Sequence, residues 1–303
     1  MSALSLGSWR TFERLPRETG IAIMRAARDE GINFFDDARY NDETGTAPIP
    51  TGYSEVLFGE LFRGAGMPRD ETVVANKLWW EFWPEQSAAA ELDASLKRMG
   101  FDYVDVIYAT PPPDGMRVAG LVADVGGLVA SGKARAWAIV NWPADLSGQA
   151  GETAASLGIA PPSGAQLPYS LVRRSPVEDA AMTQALKVSG AGVIASFCLE
   201  GGVLSGKYLS GPAAGRAAGT LSEPRIAPAV AAAAELAVLA DRLNTSAAAL
   251  AIAFPLTNPA VTSVLFGATS AEQVRANCAA ISLRDSLASE DLAQLRRIGL
   301  PKE

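Results

Sequence analysis

The sequence predicts an α/β fold: a single (β/α)8 TIM barrel with extra C-terminal helices, occupying residues 1–303 as one domain. Three observations predict it. Short apolar runs alternate with amphipathic helical stretches about every thirty residues, eight times over, which is the pattern of a closed parallel barrel. The 303 residues are 49% hydrophobic, enough for the large core such a barrel needs. No linker is long or polar enough to split the chain.

The elements follow in order. Residues 2–7 form a first strand. Residues 17–30 carry Ile21, Ile23, Met24 and Ala27 at helical spacing, and Gly31 stops them. Strand two is 32–35. Residues 54–63 are a helix buried through Val56, Leu57, Leu61 and Phe62. Strand three is 72–76. Pro84 opens a helix with Ala88, Leu92, Leu96 and Met99 on its apolar face and Gly100 at its end. Strand four is 103–108, a helix covers 118–131, and strand five is 134–139. Helix 144–157 precedes strand 164–167, and helix 177–188 precedes strand 192–196. Residues 200–228 read as a long loop, followed by helices 229–243 and 246–254, the last strand 261–266, and closing helices 271–280 and 289–298. The two long excursions, 41–52 and 200–228, follow strand C-termini, so in a barrel they overhang the active face.

Composition excludes several function classes. The net charge is −7, the wrong sign for a nucleic-acid partner, which needs a basic face. No apolar run approaches the roughly 20 residues of a membrane helix, and the N-terminus lacks the pattern of a signal peptide. Cys198 and Cys278 stand apart in apolar contexts, as free thiols do in a reducing compartment, and a cytoplasmic location is expected. There is no histidine, which removes His-based metal sites and His-assisted nucleophilic catalysis.

The chemistry concentrates in residues 31–77. Ile32, Phe34 and Phe35 run into Asp36 and Asp37, and Thr72 to Ala75 run into Asn76 and Lys77. Two buried strands thus deliver a carboxylate and then an amine to one rim. Tyr40 and Tyr53 lie between them. An Asp, a Tyr and a Lys that converge make a proton-transfer unit, and the cation is expected to lower the phenol pKa. Trp79, Trp80, Phe82 and Trp83 follow at once. Trp79 and Trp80 are candidate walls for a flat or apolar substrate group, or else an aromatic cluster at a helix start.

The order of these motifs resembles that of the aldo-keto reductases over nearly the whole chain. GINFFDDA is similar to the strand-two signature whose Asp supports the catalytic Tyr, which implies that role for Asp36. SEVLFGELF resembles the helix after that Tyr, and VVANKLWW the strand carrying the catalytic Lys, here Lys77. SGKARAWAIVNW implies Asn141 as a ligand of the nicotinamide carboxamide. AQLPYSLVRR implies Gln166 beside it and Tyr169 as the ring stacked on the nicotinamide. SFCLEGGVLSGKY resembles the loop crossing the pyrophosphate, with Leu199, Gly201, Leu204 and Lys207. SVLFGATSAEQVRAN resembles the segment holding the 2′-phosphate and adenine, with Gly267, Thr269, Ser270, Gln273 and Asn277. Ser270 and Asn277 flank a helix start, where phosphate binds well, and Lys207 or Arg275 supplies a cation.

The resemblance implies an NADP(H)-dependent oxidoreductase that reduces an aldehyde or ketone of a small-molecule substrate, with no nucleic acid or membrane as partner. Three departures bear on it. FDYVDVIYATPPPDG resembles strand four, but Thr110 stands where the family usually has a His; it can orient a carbonyl yet carries no charge. Val140 replaces a Ser before Asn141. Counting from Asp36 puts the catalytic Tyr beside Tyr40, and counting back from Ser54 puts it beside Tyr53, which also begins a helix and is slightly preferred. The missing His leaves two alternatives open: reduction of an imine or conjugated C=C, or a nicotinamide-binding regulatory or sensor protein with little turnover.

Overall fold

The computed structural model describes residues 1–211 and 215–300. Its centre is a closed barrel of eight parallel strands in chain order: β1 Leu4–Gly7, β2 Phe34–Asp36, β3 Val73–Leu78, β4 Val104–Ala109, β5 Ala134–Val140, β6 Gly164–Pro168, β7 Gly192–Ser196 and β8 Val261–Phe266. β8 pairs with β1 and closes the ring, Leu6 lying opposite Phe266. The expected barrel is what the chain builds.

Around it lie α1 Arg17–Asp29, α2 Tyr53–Gly64, α3 Ala88–Met99, α4 Val118–Ala130, α5 Ala144–Leu157, α6 Ser175–Glu178, α7 Ala180–Ser189, α8 Ala227–Arg242 and α9 Ala247–Leu256, with α10 Ala271–Ser286 and α11 Ser289–Arg297 closing the chain. Apart from shifts of one or two residues and the run of α10 to Ser286, past its expected end at 280, two elements differ from expectation. α3 begins at Ala88 rather than Pro84, because the Ser87 hydroxyl accepts the Ala90 N–H and caps the first turn. The expected helix over 177–188 is two helices, broken where Asp179 leaves helical geometry at ψ 139°. None of the helices among the described residues is long and apolar enough to cross a membrane.

Side chains alternate along each strand, so the barrel has two apolar populations. Phe34, Ala75, Tyr108, Ala138, Val140 and Ile194 face one another inside the ring. The alternate residues, among them Leu6, Phe35, Val74, Ile107 and Ile139, face the helices and belong to the larger core. The register aligns Asp36 with Ala75 and Lys77 with Tyr108. One step of alternation above Phe34 and Ala75, the inward positions are Asp36 and Lys77. The inner face therefore turns from apolar to ionic at its C-terminal rim.

Outside the ring a second polar contact seats α2. Asn76, facing away from the barrel axis, donates to Glu55 Oε1 at 2.9 Å, and Arg98 Nε meets Glu55 Oε2 at 2.5 Å. α2 also approaches α3 through Gly59, where an added Cβ would lie 2.0 Å from the carbonyl oxygen of Met99. A helix-interior glycine normally costs about 1 kcal/mol relative to alanine, so Gly→Ala on a free helix face stabilises. Here the close approach reverses the sign. Gly59→Ala is expected to lower the unfolding free energy by about 1–3 kcal/mol as the helices are pushed apart. Urea denaturation of the variant measures it, and an unchanged or raised midpoint would contradict this packing.

Candidate functional site

A cavity of about 700 Å³ opens at the C-terminal ends of the strands, and Asp36, Lys77 and Gln166 line it. Lys77 Nζ is ion-paired with Asp36 Oδ1, and the two residues are only 4% and 2% exposed. Gln166 Nε2, from across the barrel, donates to Asp36 Oδ2 at 2.9 Å. Lys77 Nζ also points at Tyr40 Oη, 3.4 Å away. Carboxylate, ammonium and phenol thus meet at the rim, where the alternation of β2 and β3 delivers the first two.

Tyr40 reaches this point through a hairpin. Asn41 bridges Thr51, the Gly52 N–H donates to Tyr40 O at 2.8 Å, and the Tyr40 N–H donates to Ser54 Oγ at 3.2 Å. The Ser54 hydroxyl donates in turn to Ala38 O at 2.7 Å. The excursion after Asn41 folds back on itself, so Tyr40 stays beside the strand end while Tyr53 is carried on to begin α2. Tyr40 lines the cavity and Tyr53 does not, against the preference drawn from the sequence. A hairpin makes chain distance from Ser54 a poor measure of distance from Asp36.

The electrostatics also differ from expectation. Burial raises the Tyr40 phenol well above the usual value of 10, and the carboxylates of Asp36, Asp37 and Glu55 push it further up, with Arg216 opposing. Burial and the three carboxylates outweigh the lowering expected from Lys77. Asp37 is fully buried and accepts a hydrogen bond from the Ser8 hydroxyl. Burial, then Glu55, lifts its carboxyl well above 3.8, and its Oδ2 has no partner among the described residues.

Five other expected site residues lie outside the lining, Tyr169 among them. Thr110 turns its hydroxyl onto Leu78 O at 2.9 Å, where its own N–H also donates. Trp80, with φ 58°, swings beneath the rim, is 3% exposed and donates its indole N–H to Thr110 O at 3.3 Å. Leu204 is fully buried behind the cavity wall. Ser270 caps α10, its Oγ accepting the Gln273 N–H at 3.3 Å. Trp79 does line the cavity. Its N–H is held by Glu91 Oε1 at 2.8 Å, and its ring stands edge-on to Tyr40 at 6.1 Å.

Asn141 lines the cavity next to Gln166, with its backbone at φ 57°. Tyr169, expected as the stacking ring, is 2% exposed outside the lining. Its hydroxyl donates to Glu178 Oε1 at 2.5 Å, its ring packs on Phe254 at 5.3 Å, and its pKa is pushed up to about 12 by burial and Glu178. The exposed ring here is Phe197, one residue past β7, held at φ 56° and packed edge-on against Trp9 at 5.6 Å. Sequence reasoning missed both aromatics. The signal available was an aromatic residue directly after an apolar strand, as at Phe197.

Leu199, Gly201 and Lys207 line the far half of the cavity, with Gly267, Thr269, Gln273 and Asn277 opposite. Gly201 and Gly202 take φ 68° and 94°, a turn that favours glycine. Gln273 Oε1 accepts from both the N–H and the hydroxyl of Thr269, at 2.9 and 3.1 Å, so that corner is uncharged. Besides Lys77, the cations lining the cavity are Arg10, Arg14, Lys207 and Arg216, and Arg275 is not among the lining residues. Arg216, which sequence reasoning passed over inside a long loop, donates to Trp9 O at 2.5 Å and to Thr11 Oγ1 at 3.3 Å. Burial and Arg10 hold its pKa below the usual value.

Comparison with known proteins agrees with this geometry. The profile of the "Aldo/keto reductase family" matches residues 3–299. A "Probable voltage-gated potassium channel subunit beta" of Oryza sativa subsp. japonica is 30% identical over 98% of this chain and 93% of its own length. A protein of the same description from Arabidopsis thaliana is 29% identical over 93% of this chain and 88% of its own.

The buried Asp37 carboxyl yields a pH prediction. Its folded pKa lies above its unfolded value, so the folded state binds the extra proton. Stability from this group is full below the unfolded pKa and falls as pH rises toward the folded one. Asp37→Asn keeps an acceptor for Ser8 and cannot ionise. Its stability relative to wild type is expected to rise between pH 4 and pH 8, read from melting temperatures. A difference that is flat with pH would contradict the assignment.

Proposed function

The chain belongs to the aldo/keto reductase family, and on that footing we propose that it is an NADP(H)-dependent oxidoreductase that reduces the carbonyl of a small organic molecule. The observation that carries the reading is the convergence of Lys77, Asp36 and Tyr40 at the floor of a cavity whose far half presents cations and glycine backbone.

The residues present fit a nicotinamide dinucleotide. Asn141 and Gln166 offer amide groups for the carboxamide, Phe197 an aromatic face for the ring, and Lys207 and Arg216 positive charge for phosphate. Thr269, Gln273 and Asn277 offer neutral hydrogen-bonding groups to the adenosine end. Bound NADPH supplies the hydride that goes to the carbonyl carbon. Tyr40 supplies the proton: its phenol is protonated near neutral pH and donates as negative charge develops on the carbonyl oxygen. Lys77, 3.4 Å from Tyr40 Oη, stabilises the phenolate left behind. Asp36 and Gln166 hold that ammonium in place.

A second reading has its own support. The Thr110 hydroxyl is spent on Leu78 O, so the carbonyl oxygen receives no second donor from that position. Reduction of an imine or conjugated C=C needs less electrophilic help at oxygen. A regulatory subunit needs still less, and the two relatives are described as potassium channel subunits. NADPH consumption with aldehydes, ketones, imines and enones separates these, and tight NADPH binding without turnover favours the subunit.

Two predictions follow from the first reading. Tyr40→Phe is expected to cost about 10²–10⁴ in single-turnover rate, Lys77→Met a similar loss, and Tyr53→Phe little. Wild-type rates in Tyr40→Phe would remove the phenol from the mechanism. NADP(H) is expected to bind more tightly than NAD(H), through the charge of Lys207 and Arg216. Fluorescence titration with both cofactors tests it, and equal or tighter binding of NAD(H) overturns it.

A further inference from the structure

The 41–51 hairpin does more than carry Tyr40. On one side Glu43 meets Arg10 Nε at 2.5 Å and Arg14 Nη2 at 3.4 Å, which joins the hairpin to the loop after β1. That loop supplies Trp9. On the other side the largely buried Arg39 is ion-paired with Glu81, donates to Thr51 Oγ1 at 3.0 Å and lies over the Phe82 ring at 5.4 Å. This joins the hairpin to the loop after β3, which supplies Trp79. Trp9 and Trp79 both line the cavity and both pack against Tyr40, with ring centroids 6.4 and 6.1 Å from it. Arg10 and Trp80 hold their loops in left-handed backbone, at φ 53° and 58°, a geometry that non-glycine residues keep only when surrounding contacts impose it.

We infer that the hairpin is the specificity-setting element of the site: its two ion-pair arms fix the gap between Trp9 and Trp79 and so select carbonyls attached to a flat group. The inference rests on the reductase reading and adds to it the substrate's shape. Glu43 and Glu81 are positioning residues. They act through Arg10, Arg14 and Arg39 on the two walls, and neither lines the cavity. A slot bounded by two indoles with a phenol at its base accepts a planar ring edge-first or face-on. A puckered ring of the same carbon count needs a wider gap.

The test compares a planar aromatic aldehyde, benzaldehyde, with the puckered cyclohexanecarboxaldehyde. Wild type is expected to favour benzaldehyde in kcat/KM. The double variant Glu43→Gln/Glu81→Gln is expected to shrink that preference about three- to tenfold, the range two partly exposed ion pairs can supply, mainly through KM for benzaldehyde. Glu60→Gln, which breaks an ion pair with Arg17 away from the mouth, serves as the control and is expected to leave the ratio unchanged. A wild type without preference, a double variant within twofold of wild type, or an equal effect in the control would each overturn the inference. If wild type reduces neither aldehyde, the reductase reading is judged on the wider panel of carbonyls, imines and enones. Hydrogen exchange then decides the clamp: faster exchange over residues 40–52 and 78–83 in the double variant supports it, and unchanged exchange rejects it.

Discussion

A lysine inside a barrel must be neutralised, and much of this structure satisfies that one constraint. Lys77 is almost wholly buried, and an unpaired ammonium there is costly enough to destabilise the fold or shed its proton. The carboxylate that neutralises it is Asp36 on neighbouring β2, which the β2–β3 register brings level with Ala75, one inward step below Lys77. The second oxygen of Asp36 is taken by Gln166 of β6. Three strands are thereby tied at the rim by charge and hydrogen bonding, where the apolar packing of the layer below has ended.

The same pairing shapes the chemistry. Burial first, then the carboxylates of Asp36, Asp37 and Glu55, raise the pKa of the neighbouring Tyr40 phenol although Lys77 lies beside it. In the reduction proposed above, Tyr40 starts protonated, and a phenolate left 3.4 Å from the ammonium would share its charge with Asp36. Preorganisation of this kind requires that Tyr40 not drift, and its backbone is held from both sides by Gly52 and Ser54.

The rest of the cavity divides by polarity. Near Tyr40 the walls include Trp9 and Trp79; from β8 and α10 come Leu265 and Phe266 together with Gly267, Thr269, Gln273 and Asn277, and Arg10, Arg14, Lys207 and Arg216 add positive charge to the lining. Arg216 also packs over the Trp9 ring at 4.9 Å. One side chain therefore touches both halves, and the loop after β7 is coupled to the loop after β1. Left-handed backbone at Arg10, Trp80, Asn141 and Phe197, all just past strand ends, aims side chains at places a plain β-to-loop exit does not reach.

Much was legible in the residues alone. Strand and helix periodicity determined the barrel, because alternation and helical spacing are local properties of the chain. Acid and amine directly after apolar runs determined the Asp36–Lys77 pair, because a short buried strand leaves few directions for its last inward residue. Tertiary structure decided what lies beyond the strand ends. Tyr40 over Tyr53 depended on a hairpin closing by the Asn41–Thr51 bridge, and chain counting cannot see that closure. Phe197 over Tyr169 depended on a positive φ at one residue and on Glu178 and Phe254 claiming the other. Thr110 and Trp80 left the lining for hydrogen bonds with neighbouring loops. In each case the partner comes from a distant segment, and a side chain past the end of a strand points wherever such partners satisfy it.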